Sequence, residues 1–408
     1  MKKIVIYDII KLVKHKRVFN TLFGGNKMKK VFLSFLVAIC ALALVACQQS
    51  NNYEIAMVTD YGDITDQSFN QTTWEAVKAY AADNNKTYAY YKPAGDSTAE
   101  RVAKIEQAIS LGAKVVVMPG FAFAESIYEC QDEYPDVKFI ALDVAESDVF
   151  GCFYVDPYAA EPVLKDPNNQ PHISKNVVCV VFQEEEAGYL AGYAAVMEGE
   201  TNLGFLGGMA VPAVIRYGYG YVQGVAAAAA EKDVQVNLWY VYGGQFFGDA
   251  TIKAEMDKWV SEGCETIFAC GGGIFTSVVE AIEGKENHYL IGVDTDQSKS
   301  LPDVAVLTSA MKGLTDATMT CLDEFYGSWT VGGKVITYGL KTNTSKEYVG
   351  LPRDTWSMKE FTIAQYDEVL AKIRGGQITI NAATDAKLED LAGANVTIKN
   401  ANAGGSIK

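Results

Sequence analysis

From Tyr53 onward two patterns of apolar positions alternate. Short runs are apolar at nearly every position, as in "EIAMVTD" (54–60), "KVVVMPG" (114–120) and "DVKFIALD" (136–143). Longer stretches such as "SFNQTTWEAVKAYAADNN" (68–85) and "AERVAKIEQAISLGA" (99–113) place apolar residues every three or four positions. The first pattern predicts strands buried on both faces and the second amphipathic helices, so the alternation predicts a parallel sheet covered by helices. "KTYAYYKPAG" (86–95) supplies another strand and "AFAESIYECQDEYP" (122–135) another helix.

The series then recurs. "NLGFLGG" and "VQVNLWYVYGG" read as strands around the helix "AVIRYGYGYVQGVAAAAAEKD", followed by "DATIKAEMDKWVSEGC", "ETIFACGGG", "FTSVVEAIEGK" and "HYLIGVD". Gly112, Gly120 and Asp143 match Gly263, Gly271 and Asp294, each pair 151 residues apart. A constant offset across helix–Gly–strand–Gly and strand–Asp predicts two similar α/β lobes. The matched Gly120/Gly271 and Asp143/Asp294 fall at carboxyl ends of strands, where open parallel sheets bind ligands. Two such edges facing each other make a cleft for a small molecule.

Composition fits this picture: 408 residues, 49% hydrophobic and 21% charged, describe a packed protein too long for one ordinary core. Charge changes it. The net charge is −15, but residues 1–30 hold nine Lys or Arg against Asp8, which leaves about −23 on the rest. So acidic a body excludes nucleic acid as a partner. The basic start precedes "MKKVFLSFLVAICALALVACQQS" (28–50), whose apolar run suits a signal segment better than a membrane-spanning helix. Its end, Leu44-Val45-Ala46-Cys47, looks like a bacterial lipobox. This predicts an upstream extension (1–27), a lipoprotein signal peptide (28–46), lipidation at Cys47 and an extracytoplasmic protein anchored to the cell membrane. The six later cysteines form no C-x-x-C pair and only three histidines occur, so neither a zinc site nor any other cofactor is expected.

The candidate chemistry gathers in "VTDYGDITDQSFNQ" (58–71). Its acids fall every third residue, unlike the alternating oxygen ligands of a calcium loop. Asp66 or Ser68 would cap the following helix. Asp60 ends the first strand and Asp294 the last strand of the second lobe, so one carboxylate per lobe would accept ligand hydroxyls. Phe69 starts a helix beside Asn70, placed to stack on a ring while the amide reads its edge.

This stretch, with "FQEEEAGYLAG" (182–192), "GVDTDQ" (292–297), "LTSAMK" (307–312) and "YDEVLAKIRGGQITI", resembles the basic membrane proteins, nucleoside-binding lipoproteins of ABC importers. The resemblance covers about residues 53–380. It implies a type I periplasmic binding protein fold, two Rossmann-like lobes with a hinge and a central cleft. It implies that Asp60 and Asp294 hold ribose with Lys312 as donor, and that Phe69 and Phe268 sandwich the base while Asn70 reads it. Phe275 is the reserve for Phe268. Purine nucleosides are favoured, delivered by a monomeric, non-enzymatic protein to a permease and ATPase. The lobes are expected at 53–182 plus about 305–350, and at 183–304. A C-terminal helix/strand segment (351–381) and a weakly ordered tail (382–408) would follow. Three features depart from the family pattern: Tyr61 where a smaller residue is common, a Pro- and Asn-rich insertion (156–176), and that tail. Two rival functions remain, a sugar or signal receptor on the same fold and a carboxylate-dependent enzyme. The glycines of "GYGYVQG" (218–224) predict close approach of helix to sheet.

Overall fold

Alternation of strand and helix continues through the chain in the computed structural model, which describes residues 53–342 and 346–407. The extension, the signal segment and Cys47 lie outside the described residues. Five strands of the first lobe, β1 (Ile55–Val58), β2 (Tyr88–Tyr91), β3 (Val115–Pro119), β4 (Lys138–Leu142) and β5 (Val177–Phe182), run parallel. Between them lie helices α1 (Phe69–Asp83), α2 (Thr98–Ser110), α3 (Ala124–Cys130) and α4 (Glu146–Gly151). The second lobe holds β6 (Asn202–Gly207), β7 (Val236–Tyr242), β8 (Thr266–Cys270), β9 (Tyr289–Asp294) and β10 (Val306–Lys312), with α5 (Glu184–Glu198), α6 (Pro212–Lys232), α7 (Ala250–Ser261) and α8 (Phe275–Ile282).

The remaining elements are α9 (Leu314–Tyr326), β11 (Lys334–Tyr338), β12 (Val349–Gly350), α10 (Ile363–Arg374), α11 (Leu388–Ala392) and β13 (Val396–Ile398). The sheets run β11-β5-β4-β3-β1-β2 and β12-β10-β9-β8-β6-β7-β13. Both belong to one compact unit, Asn52–Lys408. The chain passes between sheets three times, at 182–184, 312–314 and 338–349. Two passages are tied together: Gln183 N–H donates to Tyr338 C=O and Leu340 N–H to the Glu186 carboxylate.

These crossings correct the expected boundaries. Residues 306–312 pair with β9 in the second sheet, so the first lobe regains the chain only at α9 and loses it after β11. The tail differs too. β13 adds in parallel to β7, Ser406 bridges Tyr242, and the Asn400 side chain both accepts from Tyr240 N–H and donates to its C=O. An uncovered β7 would present a row of unpaired backbone groups. The tail supplies their partners, which its Gly- and Asn-rich composition does not advertise.

The insertion is also ordered as a narrow antiparallel pairing. Val155 N–H donates to Val163 C=O and Lys165 N–H to Phe153 C=O.

The glycines within α6 divide their work. Gly218 lies under Phe205 and Tyr240 of the sheet, as expected, whereas Gly220 and Gly224 press on the backbone of Glu185 and Tyr189 in α5. Gly188 and Gly192 of α5 return the contact on Tyr217 and Tyr221. Side chains at these positions would collide with main chain, so the two helices approach as closely as backbones allow. This packing brings the first turns of α6 to the edge of the cleft.

Candidate functional site

The acids of the opening stretch take three separate tasks. Asp66 caps α1, its carboxylate accepting from the backbone N–H groups of Ser68, Asn70 and Gln71 at 2.9–3.0 Å. Asp63 is exposed and pairs with Lys92 at 2.7 Å. Asp60 accepts from Gly62 N–H at 2.6 Å and from the Asn70 amide at 3.2 Å, and no cation among the described residues is bonded to it. Burial pushes its carboxyl up to about 6. Ser68, freed from capping by Asp66, donates its hydroxyl across the cleft to Asp294 at 2.5 Å.

The duplicated positions match in backbone conformation as well as in spacing. Gly112 and Gly263 have φ of 98° and 96°, Gly120 and Gly271 of 123° and 150°, and Asp143 and Asp294 of 59° and 64°. Left-handed backbone at a non-glycine residue is uncommon and concentrates at functional sites. Here it turns both strand-end aspartates into the space between the lobes. Asp143 was not among the expected ligand contacts, although the 151-residue offset from Asp294 was the signal for it.

A buried ionic floor joins the lobes. Lys312, at the end of β10, lies 2.7 Å from Asp143 and 3.1 Å from Glu184. Arg216 of α6 lies 2.6 Å from the other oxygen of Glu184. Burial works against the charge on Glu184, but the two cations outweigh it and hold its carboxyl below the usual range. Burial likewise opposes the Lys312 charge, and Asp143, Glu184 and Asp294 together raise its ammonium well above an ordinary lysine. Asp143 moves the other way, up to about 6, because burial exceeds what one lysine returns.

The aromatic expectations separate. Phe69, at the start of α1, lines the cleft with Lys312 Nζ 5.2 Å from its ring centre. Phe268 does not line it. It sits in mid-strand in β8, fully buried against Phe205, Tyr217 and Tyr221 at centroid distances of 5.4, 6.1 and 5.3 Å. Phe275 is buried in the second lobe and lies outside the lining as well. The second lobe brings Tyr217, Phe246 and Phe247 to the cleft, and Phe246, in the loop after β7, lies 6.4 Å from Phe121 of the first lobe. The paired glycines explain its seat. A side chain on Gly208 would strike the Phe246 ring, one on Gly271 would crowd it, and Gly273 N–H donates to Phe246 C=O at 2.8 Å. Those glycines hold a ring, not a phosphate; the signal was "YGGQFFG", an aromatic pair in a strand-end loop.

The resulting cleft has a volume of about 500 Å³, within the ~300–1,000 Å³ of small-molecule sites. Asp60, Phe69, Asn70, Asp294 and Lys312 all line it. Six aspartates against three cations face the space, which favours a neutral polar ligand over a phosphate. The buried Asn70 Oδ1 and Asp143 Oδ1 have no hydrogen-bond partner among the described residues. Buried polar atoms are costly unless bonded, so these two are ready to bind ligand donors. Among the described residues, no group of three His, Cys, Asp or Glu side chains could hold a metal, and no helix is long and apolar enough to cross a membrane.

A sequence profile described as ABC transporter substrate-binding protein PnrA-like (Bmp) matches residues 53–384. The ABC transporter nucleoside-binding protein BmpA of Lactococcus lactis subsp. cremoris is 26% identical over 383 residues, covering 86% of this chain and 99% of that one. Basic membrane protein D of Borreliella burgdorferi is 28% identical over 324 residues, covering 77% and 84%. A solved ABC transporter solute-binding protein from Aeropyrum pernix superposes with a TM-score of 0.61 at 19% identity, covering 83% and 90%. One from Conexibacter woesei gives 0.61 at 18%, covering 81% and 99%. These establish the type I periplasmic binding protein-like fold. ABC substrate-binding proteins carry small molecules outside the cytoplasm and work with permease and ATPase components; the relatives are binding proteins, not enzymes. The chain belongs to the PnrA-like Bmp family of ABC transporter substrate-binding proteins.

Proposed function

We propose that this protein captures nucleosides, purines above pyrimidines, and hands them to its permease while anchored to the membrane through a lipid on Cys47. The observation that carries the reading is one ring from each lobe, Phe69 and Phe246, on the same cleft as unsatisfied carboxylate and amide oxygens. Stacking a base between two rings is worth ~1–3 kcal/mol per contact. Asn70 offers its free oxygen to the base edge. Asp60 and Asp294 accept ribose hydroxyls, with Lys312 as donor. The protein acts as a monomer and performs no chemistry on its ligand. That a relative in Lactococcus lactis is named nucleoside-binding supports the same choice.

Calorimetric titration of the detergent-solubilised full chain with inosine, guanosine, adenosine, uridine, free bases, ribose and hexoses tests this. One-to-one nucleoside binding, weakened at least tenfold in Phe246→Ala, is the expected result. Binding of a hexose and of no nucleoside would overturn it.

A further inference from the structure

One tyrosine in the cleft has no place in the scheme above. Tyr217 lies in the second turn of α6 and lines the cavity, yet it is 2% exposed and its hydroxyl makes no hydrogen bond among the described residues. Its ring is held on two sides and its backbone on a third. Phe268 meets it edge-on at 6.1 Å, Lys312 Nζ stands 5.4 Å from its centre, and its backbone is pressed against Gly188 of α5. The side chain is therefore held in place while its polar end is unused. A buried hydroxyl without a partner works against folding, and packing alone would be served as well by phenylalanine.

The groups around that hydroxyl define what it would bind. Asp294, Cys270 and Asp143 share the cavity lining with Tyr217, and the charges of Asp294, Glu184, Cys270 and Asp143 act on its hydroxyl. Glu184 is occupied by two cations, and Asp294 by Ser68 through one oxygen. Asp143 Oδ1 is unpartnered. The floor thus combines a carboxylate oxygen that needs a donor with a phenol that can donate. A ligand atom serving both must donate and accept at once, which is the property of an alcohol hydroxyl. A carbonyl accepts from Tyr217 but offers Asp143 nothing.

We propose that Tyr217 is a specificity-determining residue whose hydroxyl, together with the free oxygen of Asp143, recognises one hydroxyl of the ligand sugar. This rests on the reading that the cleft takes a nucleoside. It makes the second lobe read the sugar through a group that neither strand end supplies. The site discriminates against the deoxy analogue because removing the sugar hydroxyl leaves Tyr217 and Asp143 buried and unpaired together.

The test compares the full chain with Tyr217→Phe against adenosine and its 2′-, 3′- and 5′-deoxy analogues, by calorimetry. In the natural protein one deoxy analogue binds at least about tenfold more weakly than adenosine. Tyr217→Phe weakens adenosine by a similar factor and leaves that one analogue unchanged, so the preference collapses. Equal losses on every ligand would mean a packing role and overturn the proposal, as would no change on any of them. A second readout needs no ligand. Tyr217→Phe leaves the unliganded midpoint of thermal unfolding unchanged or raised, because it deletes an unbonded hydroxyl. A lowered midpoint would mean the hydroxyl is bonded within the protein and would overturn the proposal. If the natural protein takes no nucleoside, the nucleoside reading fails by itself, and the unfolding midpoint still decides for or against a free hydroxyl.

Discussion

Asp143 and Asp294 occupy equivalent positions in the two lobes, with the same left-handed backbone, yet they cross the cleft by different means. Asp143 of the first lobe meets a buried ammonium, Lys312, carried by the second sheet. Asp294 of the second lobe meets a neutral hydroxyl, Ser68, from the first. Duplication preserved the strand-end carboxylate and its strained backbone; it did not preserve the partner. One link joins charges in a largely buried network with Glu184 and Arg216, the other is a single hydrogen bond. The first makes the floor rigid. The second can be exchanged for a ligand hydroxyl at little cost.

Removing Lys312 should break this contrast most severely. Lys312→Met keeps the volume but strands Asp143 and leaves Glu184 to Arg216 alone, and breaking a buried pair at one partner costs ~3–5 kcal/mol. Urea unfolding monitored by tryptophan fluorescence should show a loss of that size, with ligand binding abolished. A loss below about 1 kcal/mol would mean that the floor is hydrated and the two links are alike. Ser68→Ala is the smaller counterpart. It removes one hydrogen bond to a carboxylate, worth about 1.5–3 kcal/mol at most, and α1 keeps its cap because Asp66 provides it. Unfolding should show a loss within that range and smaller than that of Lys312→Met, while release of a bound nucleoside, followed by stopped-flow fluorescence, should accelerate several-fold. A stability loss equal to that of Lys312→Met would erase the distinction between the lobes.

The legible and illegible parts of this molecule separate along the same line. Strand–helix alternation exposes both sheets, because buried parallel strands are apolar throughout and helices are not. Strand-end aspartates and the start of α1 are readable because position along an element predicts direction: Asp60, Phe69, Asn70 and Asp294 all reach the cleft. Phe268 shows the limit. Its spacing suits a stacking ring, but the middle of a strand covered by α6 is core, and Phe205, Tyr217 and Tyr221 enclose it. Phe246 stands in a loop whose path is set by three glycines on two other strand ends, so the aromatic pair of "YGGQFFG" marks the loop without saying where its rings point. The edge strand β13 escapes for a related reason. Its pairing is dictated by the open side of β7 rather than by its own few apolar residues.

Asp60 gives the smallest effect and the sharpest control, since the second lobe has no counterpart to it. Its carboxyl stands near 6 in the folded protein against an ordinary value of 3.8, chiefly through burial. A raised carboxyl favours the folded state while protonated, so this contribution is full below about pH 4 and is lost as pH rises through 6. Asp60→Asn keeps an oxygen for Gly62 and the Asn70 amide and cannot ionise. The unliganded variant should therefore gain stability over the natural protein above pH 6 and match it below pH 4. Ligand binding should show the opposite cost. If the ionised carboxylate accepts sugar hydroxyls, natural-protein affinity falls as pH drops from 7.5 to 5, and Asp60→Asn flattens that profile. Asp143 also titrates near 6, so the quantity to follow is the difference between the two profiles. Parallel profiles would remove Asp60 from the ligand's grip and leave Asp143 and Asp294 as the only strand-end carboxylates that hold it.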